Sequence, residues 1–504
     1  MYYIAAVSKS NSDKGVPLSS ICFLFAIPKT HYENQHSECC RLHGMTGSEQ
    51  ALSEKISKYI PEMAVGCLML LMVLSQFSYF WDRTVFGHDD LSQIESYYWN
   101  LESEGRWLIY LLFPVLRYCN THVALVADIV FVCVFGYVCA RRWLNSSQSI
   151  LIAMLVTLAP SFVLFLDWPI IALPSIFLLA VAALVSNRIP LSRFFLVFGV
   201  LFNATYSNVY FLLPLLFLNE DSGTMLRVLF YWLIGYVVGF VVAELVTWAV
   251  CGHFVELAEW RKPHYIRSWA DIEINILRAL RSALSHVRYM GKECGLVIFL
   301  SIVCFAWLYR NSKMRGLVMV LVLALVSMSC YAQSVPVGVA VSMRTAHCLY
   351  FALLLFVAVS CRNCRYLMLF VVLIWGGRCL YMNAKNLEWQ NAIRSEFYAG
   401  ITHLNVAPVD VNGMVVLAND DDVTEALKII ERAAQVSSYN LKMNLDHWAA
   451  APRYAGFKSL WYRECVHEKI EELGIKERDL SYTTRGLYSF ALCKGYLFVR
   501  FNLP

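Results

Sequence analysis

The sequence predicts a mainly α, polytopic helical membrane protein with about nine spans, one re-entrant hairpin and a small extracytoplasmic α/β lobe at the C-terminus. Three observations carry that expectation. Hydrophobic residues make up 58% of the 504-residue chain and charged residues only 16%, a balance far from that of a soluble globular domain. Apolar runs long enough to cross a bilayer recur between residues 63 and 382. The basic residues collect in the short loops between those runs, as the positive-inside rule expects of a multi-pass chain. A formal net charge of +5 over this length gives no ground for a nucleic-acid partner.

Residues 1–58 read as a polar, irregular cytoplasmic segment. Its one apolar piece, 21–27, is too short to span a bilayer, and it lacks the basic flank and small-residue cleavage site of a signal peptide. Met45 begins a more ordinary start, so the first 44 residues are expected to be dispensable or an over-called start. Lys55 and Lys58 place the N-terminus inside, and the spans of a membrane domain at 59–382 follow by parity. Residues 63–81 go out, 122–140 return to Arg141 and Arg142, 148–166 go out to Asp167 and Trp168, and 169–186 return to Arg188 and Arg193. The stretch 194–218 is apolar but broken by polar residues at 203–208. As a single span it would turn Arg310, Lys313 and Arg315 outward; as a re-entrant hairpin it keeps them inside, with its polar tip in a protein-lined cavity, and this is the preferred reading.

After the hairpin, 228–250 go out and 251–293 form a long external loop. Residues 294–309 return, 316–332 go out, 345–360 return to Arg362 and Arg365, and 366–382 go out for the last time. Residues 383–504 then form the extracytoplasmic lobe, with strands at 413–418 and 496–501 and a helix at 423–434. No internal repeat is evident, which weakens a transporter reading.

Chemistry-bearing residues gather in the first external loop. Asp89 and Asp90 precede apolar residues at helical spacing (Leu91, Ile94, Tyr98, Leu101), and Gly105 is placed to end that helix. Asp89 or Asp90 either caps the helix or serves as a base that takes a proton from an acceptor hydroxyl. Arg106 either snorkels toward head groups or steadies a lipid phosphate with its planar fork. Residues 107–116, too short to span, are expected to dip into the interface.

Elsewhere, Asp167 is read as a helix-end residue in water or as a ligand for sugar hydroxyls, and Asp128, inside a span, as an inward-facing polar contact. In the loop 251–293, Leu277, Leu280, Leu284 and Val287 alternate with Arg278, Arg281 and Arg288. That pattern predicts a basic amphipathic helix on the membrane surface, touching anionic lipids or a polyprenyl phosphate. Arg344, isolated among apolar neighbours, is a further phosphate candidate. The acidic run at 419–422 reads as a helix cap, since it lacks the spacing of a calcium loop. Most of the 17 cysteines lie in apolar runs. Cys361 and Cys364 have no second pair beside them, and Cys465 with Cys493 would form a disulfide in an oxidising compartment. No pattern demands a cofactor, and a divalent metal stays open.

With Asp89-Asp90 after the first span, Gly105-Arg106-Trp107, the polar break around Tyr206 and Arg344, the chain resembles the GtrII-type serotype-converting O-antigen glucosyltransferases. The likeness covers roughly residues 60–400. These belong to the GT-C-like membrane transferases that use lipid-phosphate sugars. The resemblance implies an inverting transfer of glucose from undecaprenyl-phosphate glucose to an O-antigen sugar of lipopolysaccharide, on the periplasmic side of the bacterial inner membrane. It implies Asp89 or Asp90 as base, Arg106 and Arg344 facing the phosphate, Asp167 and Tyr206 supporting the sugar, and partner proteins that make and flip the donor. It also implies a cytoplasmic N-terminus and a periplasmic C-terminus. The extra N-terminal segment departs from the family pattern. The alternatives are a transferase of another polyprenyl-phosphate sugar and, from a different class, a flippase or transporter of lipid-linked sugars, which should carry charged residues at mid-membrane.

Overall fold

The computed structural model describes residues 47–81, 97–205, 207–257, 263–342, 345–417, 460–461, 464–485 and 488–501. Helix α1 (Gly47–Trp81) is followed by two short helices, α2 (Tyr98–Glu104) and α3 (Trp107–Leu116), and then by α4 (Thr121–Ala140). Next come α5 (Ser146–Leu158), α6 (Pro160–Val163), α7 (Pro169–Val185), α8 (Leu191–Asn203) and α9 (Ser207–Tyr210). The membrane part continues with α10 (Ser222–Cys251), α11 (Trp269–Leu308), α12 (Lys313–Met328), α13 (Ser334–Val337), α14 (His347–Cys361) and α15 (Arg365–Leu404).

Polar side chains set where the apolar helices begin. Asn120 accepts from the His122 and Val123 amides at 2.9 and 3.2 Å, Asn145 from Gln148 at 2.9 Å, and Asp221 from Thr224 at 2.8 Å, each satisfying N–H groups that the first turn leaves over. Among the described residues, six helices are long and apolar enough to cross a membrane, or seven if the pair at Ser146–Leu158 and Pro160–Asp167, bent by 53°, is one span. Pro160 explains the bend, since it has no N–H for the helical ladder. The chain therefore has the character of a multi-pass membrane protein. Its outward faces agree: Leu71 is 61% exposed, Phe230 60% and Phe299 62%, a surface that lipid covers at no cost and water does not.

Where the sequence predicts a hairpin at 194–218, α8 rises to Asn203 and the chain comes back. Phe217 returns to lie against both Phe194 and Phe195, ring centroids 5.2 Å away in each case. Helix α8 is pressed onto α10 at Gly199, Gly235 and Gly239, where a side chain would run into facing backbone. This is the close approach that small residues four apart permit between membrane helices. Asn203 and Tyr210 fasten the turn by donating to the α10 carbonyls of Tyr236 (3.0 Å) and Trp232 (2.6 Å).

The helix expected inside 251–293 is present as the first segment of α11, and it meets the apolar segment expected from 294 at a kink, where Cys294 leaves helical geometry (φ −134°, ψ 27°). The buried face passes through Asn275, Ala279, Ala283, His286 and Met290.

One end of the bundle is basic and cross-linked. Glu220 accepts the Tyr309 hydroxyl at 2.5 Å and lies 3.8 Å from Arg362, Arg142 stacks on Phe217 at 5.2 Å, and Arg365 on α15 pairs bidentately with Glu62 on α1. Glu62 is only 7% exposed. Arg365→Ala, which strands that carboxylate, is expected to cost about 2–3 kcal/mol, less than a fully buried pair because the arginine keeps some contact with solvent. Thermal melting of the purified protein reads this directly. Glu62→Gln with Arg365→Met should recover most of the loss, and equal loss in single and double variants would refute the coupling.

At the other end α15 runs unbroken through residue 382 and carries the lobe. The sheet order is β2-β1-β5-β4-β3, with β1 (Gly413–Val416), β2 (Leu460–Trp461), β3 (Thr483–Arg485), β4 (Tyr488–Cys493) and β5 (Tyr496–Phe501), and with α16 (Glu464–Leu473) between β2 and β3. β1 is parallel to β2 and β5, while β4 is antiparallel to β3 and β5. The strands expected at 413–418 and 496–501 are both present; the helix expected at 423–434 and the acidic run at 419–422 lie outside the described residues. β4 docks on α15, Phe397 lying 5.4 Å from Tyr488 and 6.0 Å from Phe490 between ring centroids.

Candidate functional site: the platform at the less basic end of the bundle

Gly105 closes α2 in a left-handed conformation (φ 67°), its N–H donating to the Leu101 carbonyl at 2.9 Å. That turn brings together two side chains that a continuous helix would point apart. Arg106 forms an ion pair with Glu104, the side chains 11% and 8% exposed, and its Nη1 donates to the Tyr97 hydroxyl at 3.2 Å. Immediately afterwards the Leu108 amide donates to the Ala204 carbonyl at 2.9 Å, so the start of α3 sits on the tip of the hairpin. α3 also touches α7. Arg106, the hairpin tip and the segment beginning at Pro169 thus share one end of the bundle.

α2 is held from behind by the C-terminal end of α10. The Thr247 hydroxyl reaches the Leu101 carbonyl at 3.4 Å, and Gly105 faces Val255 and Ala243 so closely that a methyl group would stand 3.2–3.3 Å from them. The Glu256 amide donates to the Glu102 carbonyl at 3.1 Å, and His253 Nε2 lies 3.0 Å from the Glu102 carboxylate. The Phe254 carbonyl, then Glu256 and Glu102, hold the His253 pKa above its ordinary value against a smaller opposing effect of burial. A raised folded-state pKa means that this clasp is at full strength below the ordinary histidine value of about 6.5 and weakens as pH climbs through the higher, folded value. Hydrogen exchange at the Glu256 amide, corrected for intrinsic rate, is expected to quicken by about two- to threefold across that window. His253→Gln should remove the dependence, and an unchanged pH profile in the variant would refute the assignment.

Of the residues singled out by sequence, Arg106 is in this platform. Asp89, Asp90, Tyr206 and Arg344 lie outside the described residues. Asp167 is not in water as a helix end would be: it is 6% exposed, in the turn of 3₁₀ helix Phe165–Asp167 between the bent span and α7. The bend at Pro160 folds that turn inward, which the hydropathy pattern did not register. Asp128 does face inward, fully buried on α4, with neither oxygen hydrogen-bonded among the described residues. Cys493 is a free thiol at the end of β4, and the Cys465 side chain lies outside the described residues. Among the described residues no three His, Cys, Asp or Glu side chains are grouped to hold a metal ion.

Sequence reasoning missed Glu104 and Tyr97, the groups that hold Arg106. It also missed two buried polar pairs: Glu293 with Tyr350 (2.7 Å) and Ser161 with His347 (2.5 Å). Their signal was available, as an ionisable residue inside or at the edge of an apolar run is costly and therefore informative.

No family model, curated protein or solved structure matches the chain. The site's chemistry is accordingly read from its residues: a guanidinium oriented by a carboxylate and a phenol, set on a backbone platform at the less basic end of the bundle. Such a fork is suited to a phosphate that displaces Glu104 as its counter-ion.

Proposed function

We propose that this protein is an inverting, GT-C-like hexosyltransferase that moves glucose from undecaprenyl-phosphate glucose to a sugar of the lipopolysaccharide O-antigen, bringing about serotype conversion. On this reading it lies in a bacterial inner membrane with its N-terminus cytoplasmic and its C-terminal lobe periplasmic. It has nine spans when Pro169–Val185 and His347–Cys361, 17 and 15 residues long, are counted with the seven longer ones, and 194–218 is its re-entrant element.

The observation that supports the reading is the platform itself: the Leu108 amide bonds to the hairpin tip two residues from a guanidinium oriented by Glu104 and Tyr97, whose fork suits a phosphate. One aspartate takes the acceptor hydroxyl's proton as that oxygen bonds to the anomeric carbon. The bond from the anomeric carbon to the phosphate oxygen breaks, and Arg106 and Arg344 meet the charge of the departing polyprenyl phosphate. Asp167 and Tyr206 support the sugar, and proteins that synthesise and flip the donor act upstream. The test is glucose transfer to surface polysaccharide in cells expressing the wild type, Asp89→Asn, Asp90→Asn and Arg106→Ala at matched membrane levels. Undiminished transfer by both aspartate variants sinks the mechanism.

A flippase or transporter of lipid-linked sugars is the second reading, favoured by the carboxyls of Asp128 and Glu293 buried within the helices. It predicts movement of the lipid-linked sugar across vesicle membranes by purified protein, with no acceptor modified.

A further inference from the structure

Two cysteines meet where α12 ends and α14 begins. Cys330 sits in the 3₁₀ turn Ser329–Tyr331 that finishes α12, and Cys348 in the first turn of α14, on which that turn packs. Both thiols donate to one oxygen, the Ser327 carbonyl, at 3.3 and 3.7 Å, and they are within bonding reach of each other. Both are free thiols, and both are 0% exposed. A thiol is a weak donor, and here two of them share a single acceptor, so hydrogen bonding adds little to this contact.

The pair brackets the segment that leads to Arg344. Its first half is fastened to α11 and the loop before it. His286 shares a hydrogen bond of 2.6 Å with the Tyr331 hydroxyl, Asn275 donates to the Val335 carbonyl at 2.9 Å and Arg278 to the Gly338 carbonyl at 3.2 Å. The His264 amide adds a bond of 2.8 Å to the Val337 carbonyl. Gly338 then turns the chain in a left-handed conformation (φ 65°), with Asn275 and His264 so near that a side chain would collide with them. Beyond it, residues 339–342 form no regular element. Both thiols stand at the less basic end of the bundle, because α12 starts from Lys313 and Arg315 and runs toward Cys330, while α14 starts beside Cys348 and runs to Arg362.

We propose that Cys330 and Cys348 are joined by a disulfide in the cell, closing residues 331–347 into a ring. The oxidising surroundings rest on the topology proposed above, which puts the less basic end in the periplasm; the meeting of the thiols does not. The oxidant is a protein disulfide of that compartment. The Cys330 thiolate attacks one of its sulfurs and expels the other as thiolate, and the Cys348 thiolate then displaces the oxidant from Cys330. The new S–S bond forms, the two thiol protons end on the oxidant's sulfurs, and it leaves as a dithiol with both electrons. Both thiols are covered in the folded protein, so the exchange precedes the closing of α14 over α12. The link restricts the unfolded alternatives of the segment and holds it at the end that α11 does not reach.

The experiment traps thiols in cells by acid quenching and alkylation with N-ethylmaleimide in denaturant, followed by digestion without reductant and mass spectrometry. The Cys330 and Cys348 peptides are expected to travel as one species that a reductant splits, and Cys330→Ala should leave Cys348 alkylated. Hydrogen exchange at the amides between them is expected to quicken by at least about tenfold in the reduced protein and in the double variant Cys330→Ala/Cys348→Ala, with melting confirming that the variant folds. Alkylation of both cysteines in the wild type overturns the link. A membrane-impermeant maleimide on spheroplasts then tells what failed, using Val409→Cys, an 81% exposed position beyond α15 at the same end of the bundle. Labelling of intact spheroplasts means that the pairing alone is wrong, and labelling only after lysis removes the topology as well. A linked protein that transfers no sugar upholds the disulfide and removes the transferase reading instead.

Discussion

Gly239→Leu is expected to leave almost no folded protein in the membrane. A side chain at 239 would enter the space of the Gly199 carbonyl and the Asn203 amide, and one at 235 would meet the Phe195 carbonyl. Backbone is the obstacle in each case, so no rotamer relieves the overlap and the helices must separate. Separation forfeits the bonds from Asn203 to Tyr236 and from Tyr210 to Trp232, which hold the hairpin turn. It also forfeits the contact of the hairpin tip with Leu108. The cost is set at about 4 kcal/mol or more, comparable to the whole margin of a typical domain. Size-exclusion profiles and melting of Gly239→Leu, with Gly377→Leu on α15 as comparison, measure it. Gly377 has only the Met72 methyl near it, at 3.9 Å. A monodisperse Gly239→Leu protein melting with the wild type would show that α8 and α10 do not cross as described.

The second large effect is chemical. Asp89→Asn or Asp90→Asn, whichever bears the base, is expected to lower transfer by about 10³-fold at unchanged membrane level, because the amide keeps the size of the side chain but cannot take the proton. The other variant should stay within about tenfold, since neighbouring residues on a chain point in different directions and one reaches the acceptor hydroxyl. Asp89 is the first choice. Arg106→Ala should fall by about 10²-fold, the scale of losing one electrostatic contact to the leaving group. A helix cap would give a different pattern: reduced protein amount and unchanged turnover per molecule.

Much of the helix inventory was legible because hydropathy is an additive signal. α1, α4, α10, α12 and α15 each contain an apolar window that no packing arrangement can disguise, and the hairpin announced itself through the polar break at its tip. Legibility failed where a single backbone angle decides. Nothing in the apolar count reveals that Pro160 turns the chain by 53° and buries Asp167. The change from amphipathic to uniformly apolar pattern at 293–294 was legible, and it coincides with the kink at Cys294.

At the platform, Arg106 was legible as a lone cation beyond a span, but its pairing with Glu104 depends on the left-handed turn at Gly105. Residues two apart carry no such expectation by themselves. Glu293 and His347 find their partners across the bundle, 57 and 186 residues away in sequence. Hydropathy along the chain holds no information at that range.

The length of α15 has a mechanical consequence. Its 40 residues measure about 60 Å end to end, twice the hydrocarbon thickness of a bilayer, and the part beyond Lys385 is a cantilever of about 28 Å. Asn383 ties its root to the Leu158 carbonyl at 2.9 Å, beside the Pro160 bend, and Phe397 grips the sheet at its far end. A rotation of about 10° at the root sweeps the sheet through about 5 Å. Small adjustments among the intramembrane helices would in this way be magnified at the sheet, and a fluorophore on β4 would read them.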